Sequence, residues 1–369
     1  MNAPSVHNDP ELLDLFIRDM DSQSNLWKPT NYWKWQCIRM QQQLNATGLA
    51  GFRRNWQVMR GVDLGPKQAG LITPPVFKSS IANWLSRRDP LCRRYATYVE
   101  SLIEQSNSAN DAHIRVQLSL MYHFLKKGEH SNPILAETRD SGIGEPHQYY
   151  FEGNAYSSNM LHHICLLSLL CSINGKNDYR RIIEIGGGYG ALPETIIRMR
   201  RGEIGYFVCV DIPPLVYVAT QYLKAVFPGM VTDYRDVRTT PRISESDITG
   251  RILVIPPWRV PALDLNFDLL WNSASFQEME VDVIDNYLSC LGPKTPNIFI
   301  NTLTEGHREG AGGQLERIDF DKLMRLIESK GYECHKPMDA SVEATVYRSV
   351  LPRHSAALFC KSDVGTSPR

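Results

Sequence analysis

Apolar residues follow a helical spacing in the first part of the chain. In Glu11–Met20, Leu12, Leu15 and Phe16 recur at intervals of three or four positions, and the same spacing marks Tyr95–Gln105 and Ile114–Lys127. Pro and Gly interrupt these stretches, as at Pro29, Gly61 and Pro90. We therefore predict a mostly helical N-terminal domain over residues 1–145.

A second pattern starts near residue 150, where short apolar stretches alternate with amphipathic ones. Residues 139–155 are punctuated by Gly and Pro and predict a loop, and a helix follows with Ser157 or Ser158 as its N-cap and Gly175 at its end. Strands are predicted at Arg181–Ile185, Gly205–Val210, Arg251–Ile255, Phe267–Trp271, Asn297–Leu303, Tyr332–Lys336 and Ala356–Lys361. Helices are predicted between them at Leu192–Arg201, Leu215–Val226, Val281–Leu291 and Phe320–Lys330. Alternating strands and helices predict an α/β fold, a Rossmann-like doubly wound sheet, over residues 146–369.

The charge balance narrows the class of partner. Among 369 residues, Lys and Arg number 40 and Asp and Glu also number 40. Proteins that bind nucleic acids normally carry a basic excess, so we expect no nucleic-acid partner. The sequence also lacks an apolar stretch long enough to cross a membrane, so we expect no membrane partner.

The cysteines and the N-terminus suggest a cellular location. The eight Cys contain no C-x-x-C pair, and several lie within apolar stretches, which is typical of buried free thiols in a reducing compartment. The first ten residues are polar and do not resemble a signal peptide. We expect a cytoplasmic protein, and a homodimer remains an open option.

A glycine-rich turn is the strongest local signal. Arg181–Ile185 is followed by Gly186, Gly187, Gly188, Tyr189 and Gly190, and then by a helix. Glycine permits positive φ and places no Cβ in the way of a ligand. With Ala191, the turn also satisfies the dinucleotide fingerprint G-x-G-x-x-G/A, so a nucleotide-containing cofactor is expected.

Two acidic residues distinguish between the possible cofactors. Glu184 precedes the turn by two residues, where its carboxylate would repel a pyrophosphate but would accept a hydrogen bond from an amino group. Asp211 lies 25 residues after Gly186, at the end of the next strand, where it can accept hydrogen bonds from ribose hydroxyls. Asp211 suits either cofactor, and Glu184 favours S-adenosylmethionine (SAM).

These residues resemble a known group of proteins. Ile183–Gly190 resembles motif I of class I SAM-dependent methyltransferases, and Val210–Pro213 resembles the acidic motif that follows it. The segment Asn272–Met279, together with Asn301 and Thr302, is similar to a family of sugar O-methyltransferases found in antibiotic and polysaccharide gene sets. The segment Trp27–Trp33 also resembles that family.

The resemblance implies a fold and a set of cofactor contacts. It implies seven strands with the last antiparallel. Glu184 and the loop Gly186, Gly187, Gly188 and Tyr189 would hold the methionine part of SAM, Asp211 its ribose and Ile212 its adenine. Trp258 would stack on the adenine or cap the core, and Asn272 and Ser273 would face the methyl donor. Pro256 and Pro257 stand where many such enzymes have an acid for the adenine amino group.

Catalysis needs a base near the methyl group, because a sugar hydroxyl is a poor nucleophile near neutral pH. Glu278, after the fourth strand, is the first candidate, as a base or a metal ligand; the alternative is an acid at a helix N-terminus. His307, after the fifth strand, is the second, and His162 or its neighbour His163 faces the cleft. No metal site is indicated, although Mg²⁺ remains compatible. Gly310–Gly313 is a candidate lid over the substrate.

The sequence therefore predicts a SAM-dependent O-methyltransferase that acts on a small-molecule hydroxyl, in particular a sugar, in natural-product or polysaccharide biosynthesis. Two alternatives remain open. The acceptor can be a non-sugar natural product methylated on an N-hydroxy, amine or carboxylate group. The chain can also be an NAD(P)-binding oxidoreductase, although its second half lacks a Tyr-x-x-x-Lys spacing.

Overall fold

The structure is a computed structural model that describes residues 6–59, 109–175, 178–308, 310, 315–336, 342–351 and 353–362. The predicted helix Tyr95–Gln105 lies outside these residues. Among the residues that are described, no helix is long and apolar enough to cross a membrane.

The described part of the N-terminal region, residues 6–59 and 109–145, is mostly helical. Its helices are α1 Pro10–Asp21, α2 Asn31–Thr47, α3 Trp56–Met59, α4 Ala109–Leu125 and α5 Ser131–Glu137. Asp9 caps α1 by accepting a hydrogen bond from the Leu12 amide, and Leu12, Leu13 and Phe16 form its buried face. The ring of Phe16 stacks on Tyr234 at 4.7 Å between centroids, so α1 packs directly on the second half of the chain.

A short hairpin corrects part of the predicted loop. Strands β1 Tyr149–Phe151 and β2 Asn154–Tyr156 pair antiparallel, with Tyr149 opposite Tyr156. Glu152 and Gly153, which connect them, have φ values of 50° and 81°. Two consecutive positive φ values are what a two-residue hairpin turn requires, and Glu before Gly is a weaker sequence signal for it than Asn or Asp.

The remaining elements include all of those predicted, and one strand and two α-helices in addition. The helices are α6 Ser158–Asn174, α7 Ala191–Met199, α8 Leu215–Val226, α9 Tyr234–Val237, α10 Val281–Leu291, α11 Phe320–Glu328 and α12 Val342–Val350. The strands are β3 Arg181–Ile185, β4 Tyr206–Val210, β5 Val231–Thr232, β6 Ile252–Ile255, β7 Leu269–Ser273, β8 Asn297–Leu303, β9 Tyr332–Lys336 and β10 His354–Lys361. Ser157 is the N-cap of α6 and Gly175 is its C-cap, both as predicted.

The sheet has the order β5-β6-β4-β3-β7-β8-β10-β9. Pairing is parallel from β5 through β8, and β10 runs antiparallel to both β8 and β9. The Rossmann-like fold with an antiparallel last strand is confirmed. The sheet has eight strands rather than seven, because the two-residue strand β5 is added at its edge. The strand order reverses between β3 and β7, where ligands bind in sheets of this kind.

A buried ion pair connects the N-terminal region to the glycine turn. Arg53 donates two hydrogen bonds to the Asp140 carboxylate, at 3.0 and 2.9 Å, and one to the Ser157 hydroxyl, at 2.9 Å. Both charged side chains are 1% exposed. The Arg53 guanidinium also lies 5.0 Å from the ring centre of Tyr189. The ion pair therefore packs against a residue of the glycine turn.

Candidate functional site

A cavity lies at the carboxyl ends of β3, β4, β7 and β8. It is bounded by α6 on one side and by the segment Leu26–Trp33 on the other. The predicted site residues that line it are His162, Glu184, Gly186, Gly187, Gly188, Tyr189, Asp211, Ile212, Ser273 and Glu278. The structure therefore brings most of the candidate residues together at the reversal of strand order.

The amide groups of the glycine turn are already bonded within the protein. The amides of Gly186 and Gly187 both donate to the Val210 carbonyl, at 2.9 and 3.2 Å. The Gly188 amide donates to the Asp211 carboxylate at 2.6 Å. A phosphate site needs free amide donors, and these three are not free to serve one.

The missing Cβ atoms of the turn make room for the protein itself. A Cβ at Gly186 would lie 2.3 Å from the Ser275 side chain, and one at Gly187 would lie 2.3 Å from the Cys209 sulfur. Gly186 also has a φ of 80°, which other residues rarely adopt. The glycines are thus required for packing of the turn against β4 and the loop after β7, in addition to any approach by a ligand.

Two buried carboxylates face the cavity beside this turn. Glu184 is 3% exposed, and its Oε2 atom has no hydrogen-bond partner. Burial, and then the charge of Asp211, raise the pKa of Glu184 well above its usual value. An unpartnered carboxylate is costly inside a protein, because both burial and a like charge oppose ionisation. A cation bound in the cavity would remove that cost.

Asp211 has a more satisfied environment. One of its oxygens accepts from the Gly188 amide and the other from the Ile212 amide, at 2.6 and 2.7 Å. Burial nevertheless raises the pKa of Asp211 to about 7, with a further increase from the charge of Glu278, while the two amide hydrogen bonds lower it. Each oxygen retains a lone pair for another donor.

Asn272 has a different position from the one predicted. It is fully buried, and it does not line the cavity. Its amide donates to the Ile185 carbonyl at 2.9 Å, and its oxygen accepts from the Phe276 amide at 3.2 Å. Asn272 therefore shapes the turn after β7, in which Ala274 has a φ of 63°.

Trp258 also lies away from the cavity. Its indole nitrogen donates to the Tyr234 hydroxyl at 3.0 Å, and that hydroxyl donates to Asp19 at 2.7 Å. Of the two roles considered for Trp258, the structure agrees with a packing role, in which the loop after β6 is joined to α1.

Glu278 and His307, the two candidate bases, are neighbours. Glu278 lines the cavity, and its Oε1 atom lies 3.6 Å from Nε2 of His307. The Trp33 indole nitrogen donates to Oε2 of Glu278 at 2.9 Å. Burial raises the pKa of Glu278, and the contacts with His307 and Trp33 act in the opposite direction. Glu278 is not in the first turn of α10, whose N-cap is Glu280.

His162 lines the cavity as predicted, and so do His163 and His354. Nδ1 of His162 is buried and has no partner, whereas Nδ1 of His163 is 2.8 Å from the Asn159 carbonyl. Burial lowers the pKa of His162 well below its usual value and that of His163 to about 4. Near neutral pH these rings are uncharged.

Several lining residues were not selected from the sequence. Lys28, Thr30 and Trp33 come from the segment Trp27–Trp33, which resembles the sugar O-methyltransferase family, and Leu26 immediately precedes it. The resemblance of this segment to the family was the available signal. The local sequence pattern did not indicate which side chains of the segment would lie beside Glu278, which is more than 240 residues later in the chain.

Two further expectations concern the lid and a metal. Of the candidate lid Gly310–Gly313, only Gly310 lies within the residues that the structure describes. Within the described part of the chain, no group of three or more His, Cys, Asp or Glu residues is arranged to hold a metal ion.

No protein-family model and no curated protein matches the chain. Among solved structures, it is similar to magnesium protoporphyrin IX methyltransferase (ChlM) from Synechocystis PCC 6803 with bound SAM, at 9% identity over 57% of this chain and 87% of that one, with a TM-score of 0.34. It is also similar to mitomycin 7-O-methyltransferase MmcR, at 13% identity over 69% and 71% of the two chains, with a TM-score of 0.35. The pyocyanin biosynthetic protein PhzM is similar at 12% identity over 67% and 71%, with a TM-score of 0.36. Scores this low do not by themselves establish a shared activity.

The packing of the glycine turn makes a prediction about Gly187. We expect Gly187→Ala to destabilise the protein by about 1–3 kcal/mol, because its Cβ overlaps the Cys209 sulfur. In the double variant with Cys209→Ala, the added methyl group occupies the space that the sulfur leaves, so most of the loss should be recovered. Urea denaturation of both single variants and the double variant measures this coupling. Simple additivity would show that the overlap does not determine the choice of glycine.

Proposed function

We propose that the chain is a SAM-dependent methyltransferase that transfers a methyl group to a hydroxyl of a small molecule. One observation carries the proposal. In the cavity at the reversal of strand order, the amides of Gly186, Gly187 and Gly188 are bonded within the protein, and two buried carboxylates, Glu184 and Asp211, line the space beside the turn. Such a site favours a cationic cofactor over a phosphate-bearing one.

The same observation argues against the oxidoreductase alternative. A dinucleotide places its pyrophosphate over a glycine turn, where free amides and the helix N-terminus bind it. Here the amides of Gly186, Gly187 and Gly188 are occupied, and Glu184 and Asp211 would face the phosphates. Repulsion between these carboxylates and the phosphates would oppose binding.

The residues of the cavity suit the parts of SAM. Glu184 would accept a hydrogen bond from its amino group, the free lone pairs of Asp211 would accept from the ribose hydroxyls, and Ile212 would pack against its adenine. When bound, SAM supplies a methyl group that the positive charge on its sulfur activates for transfer.

Glu278 is the residue of this chain best placed to accept a proton. It lines the cavity, and its burial raises its pKa, which strengthens it as a base relative to an exposed carboxylate. As the acceptor oxygen forms its bond to the methyl carbon, the bond from that carbon to sulfur would break with its electron pair left on sulfur, and the hydroxyl proton would move to Glu278. His307, which lies beside Glu278, would then interact with the protonated carboxyl group.

The acceptor that we propose is a sugar hydroxyl, in natural-product or polysaccharide biosynthesis. Uncharged polar groups line the cavity, including Asn159 and His162, and both keep hydrogen-bonding capacity that the protein leaves unused. The resemblance of Asn272–Met279 to sugar O-methyltransferases supports the same choice. A non-sugar natural product is the alternative acceptor, and a panel of acceptors distinguishes the two.

Cofactor choice is tested by calorimetric titration with S-adenosylhomocysteine (SAH) and with NAD⁺. We expect SAH to bind and NAD⁺ not to bind. Glu184→Gln should weaken SAH binding about 10- to 100-fold, because a hydrogen bond from an amino group to a charged acceptor is lost. Asp268→Asn is the matched control, since Asp268 bonds Arg181 at the opposite end of β3, and its SAH affinity should be unchanged. Binding of NAD⁺ without binding of SAH would refute the proposed function.

Acceptor choice is tested with radiolabelled SAM and a panel of methyl glycosides, phenols and amines. We expect methyl transfer to a glycoside hydroxyl, and a loss of about 100-fold or more in Glu278→Gln with SAH affinity retained. Glu280→Gln serves as the control, because this neighbouring acid accepts from the Asn31 amide instead of facing the cavity. Transfer only to phenols or amines would exclude the sugar, and full turnover in Glu278→Gln would exclude Glu278 as the base.

A further inference from the structure

The N-terminal region contacts Glu278 through both its side chain and its backbone. The Trp33 indole nitrogen donates to Oε2 of Glu278 at 2.9 Å, and the Thr30 hydroxyl donates to the Glu278 carbonyl at 2.8 Å. The Asn31 amide donates to Glu280 two residues further on, at 3.1 Å. Three successive contacts therefore join the start of α2 to the loop after β7, across more than 240 positions of sequence.

The contact from Trp33 differs in kind from the one with His307. Nε2 of His307 is 3.6 Å from Oε1 of Glu278, beyond ordinary hydrogen-bond length, and the histidine ring is held by stacking on Tyr32 at 5.2 Å between centroids. The Trp33 indole is a donor only, and it does not take up a proton in this pH range. It can stabilise a charged carboxylate without competing with it as a base.

The position of the indole also leaves Glu278 able to react. Trp33 is 8% exposed, so water does not readily replace it as the donor. Each carboxylate oxygen of Glu278 has one protein neighbour, Trp33 for Oε2 and His307 for Oε1, and each retains a lone pair that can accept a proton.

We propose that Trp33 is a positioning residue for the methyl transfer: its indole N–H holds the Glu278 carboxylate in its ionised form and fixes it toward the cavity. This inference rests on the proposed function for its catalytic meaning, but the contact itself can be tested without turnover. It also makes the N-terminal region part of the catalytic apparatus, in addition to any part in selecting the acceptor.

Within the described part of the chain, the titratable groups that line the cavity with Glu278 include Glu184, Tyr189, Tyr287, His162, His163 and His354. Asp211, at the end of β4, is coupled to Glu278 through its charge, and His307 follows β8. Lys28, on the segment Leu26–Trp33, lines the same cavity, and Glu280 lies two residues after Glu278. Of these, His307 is the group whose titration has to be separated from that of Glu278.

The first experiment uses the unmodified chain and follows the Trp33 indole N–H resonance by ¹H–¹⁵N NMR as the pH is varied. Because the proton lies in a hydrogen bond to Glu278, we expect its shift to follow the titration of that carboxylate. In Glu278→Gln this titration should disappear, while in His307→Gln it should remain. A Trp33 resonance that is independent of pH, or one that titrates equally in Glu278→Gln, would overturn the proposal.

The second experiment measures the Glu278 carboxyl directly, with ¹³C-labelled glutamate and the spectrum of Glu278→Gln subtracted. In Trp33→Phe we expect the titration midpoint of Glu278 to rise by about one pH unit, because the ionised form loses a donor. Trp27→Phe is the matched control, since Trp27 lies on the same segment but contacts Tyr287 through its ring edge, and its midpoint should equal that of the wild type. An unchanged midpoint in Trp33→Phe would overturn the proposal.

Activity gives a separate measurement once the acceptor panel has identified a glycoside that is turned over. In Trp33→Phe the acid limb of the kcat profile should move to higher pH by the same amount, and turnover should approach the wild-type value at high pH. A purely structural role would lower kcat at every pH without moving the limb, and that result would contradict the proposal. If no acceptor is methylated and SAH does not bind, the proposed function fails, whereas the NMR titrations still decide the role of Trp33.

Discussion

Burial of carboxylates that lack a cationic partner is the constraint on which the rest of the site depends. Glu184, Asp211 and Glu278 all line one cavity, and burial raises the pKa of each. The protein stabilises Asp211 with two backbone amides and Glu278 with an indole N–H, but one oxygen of Glu184 remains without a partner. This arrangement suits a cationic ligand, because a positive charge in the cavity would offset the repulsion between the buried carboxylates.

The glycine turn has its shape because of the same constraint. Binding of the Gly188 amide to Asp211 draws the turn toward the end of β4, and the amides of Gly186 and Gly187 bond to Val210 on that strand. The close approach leaves no space for a Cβ at Gly187 beside the Cys209 sulfur. The turn therefore places three of its amides on protein acceptors and lies beside two buried carboxylates.

The sequence predicted the sheet more completely than it predicted the site. Strand and helix periodicity located β3, α8, α10, β8 and β9 at their observed bounds, because each element buries apolar residues at a regular spacing. The glycine turn with its two acids was recognisable because all of its parts lie within 30 residues. Trp33 was not recognisable as a partner of Glu278, since that contact joins distant segments and depends on how α2 packs.

Two residues show why position along the chain does not determine which side chains line the cavity. Asn272 lies at the end of β7 and Trp258 in the loop after β6, and the side chains of both bond within the protein instead of lining the cavity. Position along a strand determines which residues come near a site. Whether a side chain then bonds within the protein or faces the cavity depends on neighbours such as Ile185 and Tyr234. Those neighbours become evident only when the chain is folded.

The most direct test of this account is the number of protons exchanged when SAH binds. With the pKa of Asp211 raised to about 7 and that of Glu184 also raised, the ligand-free site is partly protonated at neutral pH. Hydroxyl and amino donors favour the ionised carboxylates, so binding should release protons, and affinity should increase from pH 6 to pH 8. Calorimetric titration at pH 7 in buffers of different ionisation enthalpy measures the number of protons exchanged. We expect a net release of protons on SAH binding, and a smaller release in Asp211→Asn. Proton uptake, or an SAH affinity that does not depend on pH, would contradict the assignment of these carboxylates to the cofactor.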